Sequence, residues 1–194
     1  MSKRIVLAGV AAGVAMFAWG TISHVVLPLG EVGIKEMPNE EPVLAAMREH
    51  LREPGFYYYP GMRGDRSAAG QETWAKKARQ GPLGIVVHRP AGGGAMEPGQ
   101  LLTELGTNIL AALVAAFLLS WVGGALAGFG ARVLFVTTLG LLPGLEVDLS
   151  YWNWYGFPTN YTLAAIADHL LGWTAAGLVL AAILKEPQPP RGGR

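Results

Sequence analysis

The sequence predicts a mainly α membrane protein: a four-transmembrane-helix bundle with a small α/β extracytoplasmic cap between helices 1 and 2. Three observations carry that expectation. Four stretches are long and apolar enough to supply the roughly 20 helical residues that a bilayer core needs. Hydrophobic residues make up 51% of the 194 residues and charged ones only 15%, against about 25% charged in soluble domains. Mean hydropathy is +0.31, yet residues 28–100 are ordinarily polar, so the apolar character is concentrated in the remaining segments.

Composition also excludes several classes. A net charge of +1 offers no basic surplus to neutralise phosphates, so nucleic acid is not an expected partner. The chain has no cysteine, which removes disulfides, zinc–thiolate sites, iron–sulfur clusters and covalent c-type haem. Glycine (27) and proline (13) are abundant, as transmembrane helices allow.

The first apolar stretch runs from Ile5 to Leu27, with His24 as its one ionisable residue. It follows Met1-Ser2-Lys3-Arg4 and has the outline of a signal peptide. The apolar run is too long for such a peptide, and Phe17 and Trp19 stand where small residues are wanted for cleavage. A retained first helix is therefore expected. The second stretch covers about 105–129, the third about 131–149 and the fourth about 162–184. Gly128-Phe129-Gly130 is read as a tight corner between the second and third. Lys3, Arg4, Arg132, Lys185, Arg191 and Arg194 then fall on one side, which the positive-inside rule makes cytoplasmic. The expected organisation is 1–27 as N-terminus and helix 1, 28–100 as cap, 101–184 as helices 2–4 with an aromatic 3–4 loop at 150–161, and 185–194 as tail. The expected location is a bacterial inner (plasma) membrane, multi-pass, with both termini cytoplasmic.

Within 28–100, nine Lys and Arg are balanced by acids. Asn39-Glu40-Glu41-Pro42 has the pattern of a capped helix start, and Val43, Met47 and Leu51 at spacing four give one apolar face. Phe56–Tyr59 and Ile85–His88 have strand composition and are bounded by Pro60-Gly61 and Gly81-Pro82. A helix is expected from about 68 to 79, with Trp74 and Ala78 inward. Ala91–Gly94 is read as a flexible link. Arg63-Gly64-Asp65 matches an adhesion tripeptide, read here as chance. His50 and His88 have no metal-ligand spacing around them.

The 3–4 connection is dense in aromatics: Tyr151, Trp152, Trp154, Tyr155, Phe157 and Tyr161. Such residues favour the membrane interface. The expectation is an interfacial anchor, with a platform for a lipid headgroup, quinone or partner helix as the sharper alternative. Trp152-x-Trp154-Tyr155-Gly156-Phe157-Pro158, followed by Tyr161-Thr162, Asp168 and Gly172-Trp173, resembles the C-terminal half of a group of bacterial four-helix membrane proteins. Leu27-Pro28, Tyr59-Pro60 and Gly81-Pro82 extend the resemblance over most of the chain. It implies the same topology and brings no assigned function.

Candidate chemistry follows from cost, because an ionisable group inside a span is expensive and marks function by default. His24, Glu104, Asn108, Glu146, Asp148, Asp168 and His169 all fall toward the outer end of the four expected helices. Glu104 and Asn108, four apart, share a helix face. Pro143 is expected to kink helix 3 just before Glu146. The bland reading is mutual hydrogen bonding that fixes packing; the sharper one is a ligand-binding cluster. No cofactor is required, and the alternative is a b-type haem ligated by His24 and His169. Catalytic residues and metal ligands are not identified: Gly-x-Ser-x-Gly, His-Glu-x-x-His and a phosphate-binding loop are all missing. Gly9-x-x-x-Gly13 and Gly124-x-x-x-Gly128 are small-residue packing motifs, expected to serve close packing within the monomer, with dimerisation as the alternative. The sequence thus favours a non-enzymatic accessory or interaction protein. Its partners would be the lipid bilayer and a membrane protein or second copy. The alternative is a binder of a small ligand, lipid, quinone or haem.

Overall fold

The computed structural model describes residues 2–61, 64–90, 94, 96–126 and 128–184. It is 73% helical. Helix α1 (Lys3–Thr21) is followed by a π-helical turn (Ile22–Val26) and a 3-10 turn (Pro28–Glu31). Then come α2 (Glu40–His50), β1 (Gly55–Tyr59), α3 (Ala68–Gln80) and β2 (Gly84–His88). Helices α4 (Pro98–Val122), α5 (Gly128–Leu139) and the one-turn α6 (Leu141–Pro143) lead into a second π turn (Gly144–Asp148). Helices α7 (Leu149–Tyr155) and α8 (Thr159–Ile183) complete the order. Four continuous helical stretches, Lys3–Val26, Pro98–Val122, Gly128–Tyr155 and Thr159–Ile183, are long and apolar enough to cross a membrane. The chain therefore fits a multi-pass membrane protein.

Two compact units are present. The first comprises Met1–Ile34, Ala95–Asn153 and Phe157–Arg194; the second comprises Lys35–Gly94 and Trp154–Gly156. In the first, α1 packs along both α4 and α8, and α5 packs along the other side of α8. Small side chains make these contacts. Ala8 and Ala12 of α1, Ala112, Ala115 and Ala116 of α4, and Ala176 and Leu180 of α8 are all fully buried. Lipid chains are as apolar as leucine, so helices in a bilayer associate through close packing rather than exclusion of water. Gly9 and Gly13 carry the α1–α4 contact. A β-carbon on Gly13 would stand 2.4 Å from the Ile109 Cα, and one on Gly9 would stand 2.9 Å from the Leu113 Cα. The α5–α8 contact uses Gly177 in the same way, 3.1 Å from the Val133 carbonyl. It adds an interhelical hydrogen bond between the hydroxyls of Thr137 and Thr174 at 3.1 Å.

The end of α8 is closed by two arginines. Arg4 Nε donates to the Ile183 carbonyl at 2.8 Å and Arg132 Nη1 to that of Leu184 at 2.7 Å. The last carbonyls of a helix have no intrahelical partner, and cations there also oppose the helix dipole. Arg132 is 5% exposed. These contacts place the start of α1, the start of α5 and the end of α8 at one end of the bundle. Lys185, Arg191 and Arg194 lie outside the described residues.

Several expected boundaries shift. Helix α4 starts seven residues before the expected 105, because Pro98 occupies its first position and Glu97 and Gln100 form a reciprocal cap. It ends at Val122, ahead of Gly123-Gly124, so the corner precedes the expected Gly128–Gly130. Gly128 has φ of +80° and begins α5. A β-carbon on Gly124 or Gly128 would meet nothing within 4 Å, so these two glycines make no close helix contact within the chain. The third helix is interrupted at Gly140–Pro143, where Pro143 cannot donate to Leu139. It then continues through α7, so the expected loop at 150–161 is helical as far as Tyr155. Gly156 at φ +72° turns the chain into Phe157-Pro158 and α8.

In the second unit, β1 and β2 pair antiparallel from Gly55↔His88 to Tyr59↔Gly84. Trp74 of α3 is half-buried, and its indole donates to the Pro60 carbonyl at 3.0 Å. Asn39 is not the expected cap: it has φ of +54° and makes no side-chain cap bond. On α2, Leu44 rather than Val43 joins Met47 in the half-buried face. Asp65 accepts from the Ser67 amide and hydroxyl, both at 2.8 Å. Those bonds hold its carboxyl below the usual carboxylate range, and Ser67 in turn caps α3 through Gly70. Asp65 thus anchors a helix start, while Arg63 and the Ala91–Gly93 part of the expected link lie outside the described residues. His50 is exposed beside Glu49. Tyr155 meets Phe56 edge-on, with centroids 5.7 Å apart.

The packing account predicts a contrast. Gly13→Val should overpack the α1–α4 contact and cost about 1–3 kcal/mol. Gly124→Ala should leave the thermal midpoint of the detergent-solubilised chain unchanged. Equal midpoints for the two variants would contradict the assigned contact.

Candidate functional site: a polar cavity between α1, α4 and α8

At the end of the bundle away from the arginine caps, the close contacts give way to a cavity of about 570 Å³. Its walls come from α1 and the turns after it (Met16, Trp19, Gly20, His24, Gly30), α4 (Glu104, Thr107, Asn108, Ala111), Pro143 and Asp148, and α8 (Tyr161, Ala165, Asp168, His169, Trp173). The span from Tyr161 to Trp173 on α8 is about 18 Å at the helical rise. Six of the seven expected ligand-binding residues line this space: His24, Glu104, Asn108, Asp148, Asp168 and His169. Glu146 does not. It is exposed, so the break at Pro143 does not turn it into the bundle.

Both π turns border the cavity. In the first, the Leu27 amide reaches back five residues to the Ile22 carbonyl at 2.8 Å. In the second, the Leu149 amide reaches Gly144 in the same way. A π turn inserts one residue and so rotates the following side chains by about 100°. It places His24 and Asp148 on the cavity wall within otherwise lipid-suited helices. Such turns are rare and concentrate at functional sites.

The polar groups are held by specific partners. Asp168 Oδ1 accepts from the Trp19 indole at 2.8 Å, tying α8 to α1. Glu104 Oε1 accepts from Asn108 at 3.2 Å, as their spacing of four requires. His169 Nε2 lies 3.1 Å from Asp148 Oδ2. That oxygen is buried and has no well-aligned hydrogen bond, so the pair is a close contact and not a directed hydrogen bond. His24 Nδ1 lies 2.8 Å from Ser23 Oγ and 3.1 Å from the Gly20 carbonyl. Its ring rests on Gly30, where a β-carbon would stand 2.4 Å from His24 Cδ2.

These contacts limit the chemistry. Ser23 sits beside His24 but is fully buried and forms no part of the cavity wall, so it anchors the ring and is not placed as a nucleophile. His24 and His169 share the cavity, as a haem would require. However, His169 Nε2 already faces Asp148, and an axial bond through that nitrogen would break the contact. No group of three or more metal-ligating side chains occurs among the described residues.

The aromatic residues divide. Tyr151, Phe157 and Tyr161 form a chain of rings with 5.4 Å between successive centroids, and Tyr161 reaches the cavity. Trp152 donates to Thr159 Oγ1 at 3.1 Å, pinning α7 to the start of α8. Trp154 is 72% exposed. Sequence reasoning passed over Trp19, Gly30 and Trp173 as parts of a site. The available signal was an indole N–H in an apolar helix, which needs an acceptor, with Asp168 the one carboxylate in the fourth helix.

The Trp19–Asp168 bond should show as non-additivity. Trp19→Phe and Asp168→Leu, alone and together, are expected to give a coupling of about 0.5–3 kcal/mol in unfolding free energy. Strict additivity would contradict the bond. Comparison with known protein families, curated proteins and solved structures gave no match.

Proposed function

We propose that this chain is a non-enzymatic membrane protein that binds one small amphipathic molecule in the cavity between α1, α4 and α8. The observation that carries this reading is the convergence of two π turns and six polar side chains on one cavity of about 570 Å³. Ligand sites in proteins span about 300–1,000 Å³ and combine apolar walls with a few placed polar groups. Here Met16, Ala111, Ala164, Ala165 and Trp173 supply the apolar wall.

A purely structural polar cluster would close on itself, since a void forfeits packing. This cluster instead keeps an open space at its centre. The binding role is compatible with service as an accessory subunit in a bacterial inner membrane, with both termini cytoplasmic. Arg4 and Arg132 gather at one end of the bundle in a way that supports that orientation.

The test is native mass spectrometry of the full chain extracted in mild detergent. One bound amphiphile per chain is expected, and Ala165→Phe, which fills the cavity, should abolish it while the helical circular dichroism is kept. An empty wild-type chain, or an adduct that survives Ala165→Phe, would contradict the proposal.

A further inference from the structure

The cavity has a chemical polarity that selects among guests. We infer that its ligand carries an alkylammonium group, with N–H donors at the polar end and a hydrocarbon body toward Met16, Ala111 and Trp173. The inference rests on the binding role proposed above and narrows it to a ligand class.

The charged side chains of the wall are of one sign. The wall holds three carboxyl groups, Glu104, Asp148 and Asp168, and neither Lys nor Arg. Two of its neutral donors meet carboxylates, the Trp19 indole at Asp168 and the Asn108 amide at Glu104, while the Tyr161 hydroxyl and the Trp173 indole stay available. Each carboxyl group retains accepting capacity. Asp168 Oδ2 and Glu104 Oε2 receive no hydrogen bond from the described residues, and Asp148 Oδ2 has only the misaligned His169 contact. Three carboxyl groups thus share one cavity, and no side chain with a fixed positive charge compensates them. The Asp148 oxygen is buried without an aligned partner, and such burial is costly. A guest that brings a cation with several N–H donors meets the deficit directly.

Aromatic faces favour the same guest. Trp19, Trp173 and Tyr161 line the cavity, and ring faces attract cations. The positions along the helices assign the ends. Glu104, His24 and Tyr161 belong to the end nearest the interhelical connections. Met16, Ala111 and Trp173 lie two to three turns deeper, with Asp168 between. The same inventory disfavours other guests. A phosphate or carboxylate would meet three carboxyl groups and neither Lys nor Arg. A quinone carries no positive charge to answer the three carboxyl groups. The alkylammonium group has two sources, an ethanolamine lipid headgroup or a free aliphatic amine, and both present the same chemistry.

The experiment uses the full chain in phosphatidylcholine nanodiscs, titrated with octylamine, octanol and octanoate and followed by fluorescence of the cavity tryptophans. Octylamine is expected to bind at least ten-fold more tightly than octanol, with octanoate weakest. Asp168→Asn, which keeps the acceptor for Trp19, should weaken octylamine about ten-fold and leave octanol unchanged. Octanol or octanoate binding as tightly as octylamine would overturn the ammonium assignment while leaving the binding role intact. Failure of all three probes to bind would overturn both. A parallel titration with phosphatidylethanolamine in the nanodiscs separates the sources. Weakened octylamine binding supports the lipid headgroup, and unchanged binding supports the free amine.

Discussion

Close approach of α1 to α4 is the constraint on which the rest of the bundle depends. Gly9 and Gly13 leave room only for the backbone and side chains of Ile109 and Leu113, and fully buried alanines continue the contact. Dispersion falls off steeply with separation, so such contacts stabilise only when the surfaces meet closely. With α1 held between α4 and α8, any widening farther along must open a space shared by all three. The cavity is that space. Its position follows from where the small residues stop and Met16, Trp19 and Trp173 begin.

The same environment explains the irregular turns. A continuous α-helix through Val26 or Asp148 would direct side chains by the regular 100° step. One extra residue in each π turn redirects His24 and Asp148 to the cavity wall. The turns give up regular helical bonding, and the amide-to-carbonyl bonds from Leu27 to Ile22 and from Leu149 to Gly144 keep the backbone satisfied. At the opposite end the problem is reversed. Exposed carbonyls at the end of α8 need donors, and Arg4 and Arg132 supply them from two other helices.

The four apolar stretches, both strands and both helices of the intervening segment were legible in the sequence, because hydropathy and turn residues act locally. So was most of the polar cluster, since ionisable groups in apolar helices stand out. Glu146 shows the limit. Its chemistry matches that of Asp148 two residues away, but a π turn decides which of them faces inward, and such a turn has no local composition signal. Asn39 shows another. Its residue type suits a cap, but its left-handed backbone prevents the capping bond. Trp19 was harder to read as a site residue because its partner, Asp168, is brought to it by tertiary packing, and Gly30 because its contact with His24 depends on two irregular turns in succession.

The absence of native cysteine makes one measurement especially direct: reaction of single introduced thiols with a small, membrane-impermeant, water-soluble reagent in liposomes. Ala165 lines the cavity and Leu163, two residues away on α8, is 61% exposed on the outer face of the bundle. If the cavity is a wetted binding site within a membrane-spanning bundle, Ala165→Cys should react and Leu163→Cys, facing lipid, should not. Octylamine should then slow the reaction at Ala165→Cys. An unreactive Ala165→Cys, or equal reaction at both positions, would contradict the account.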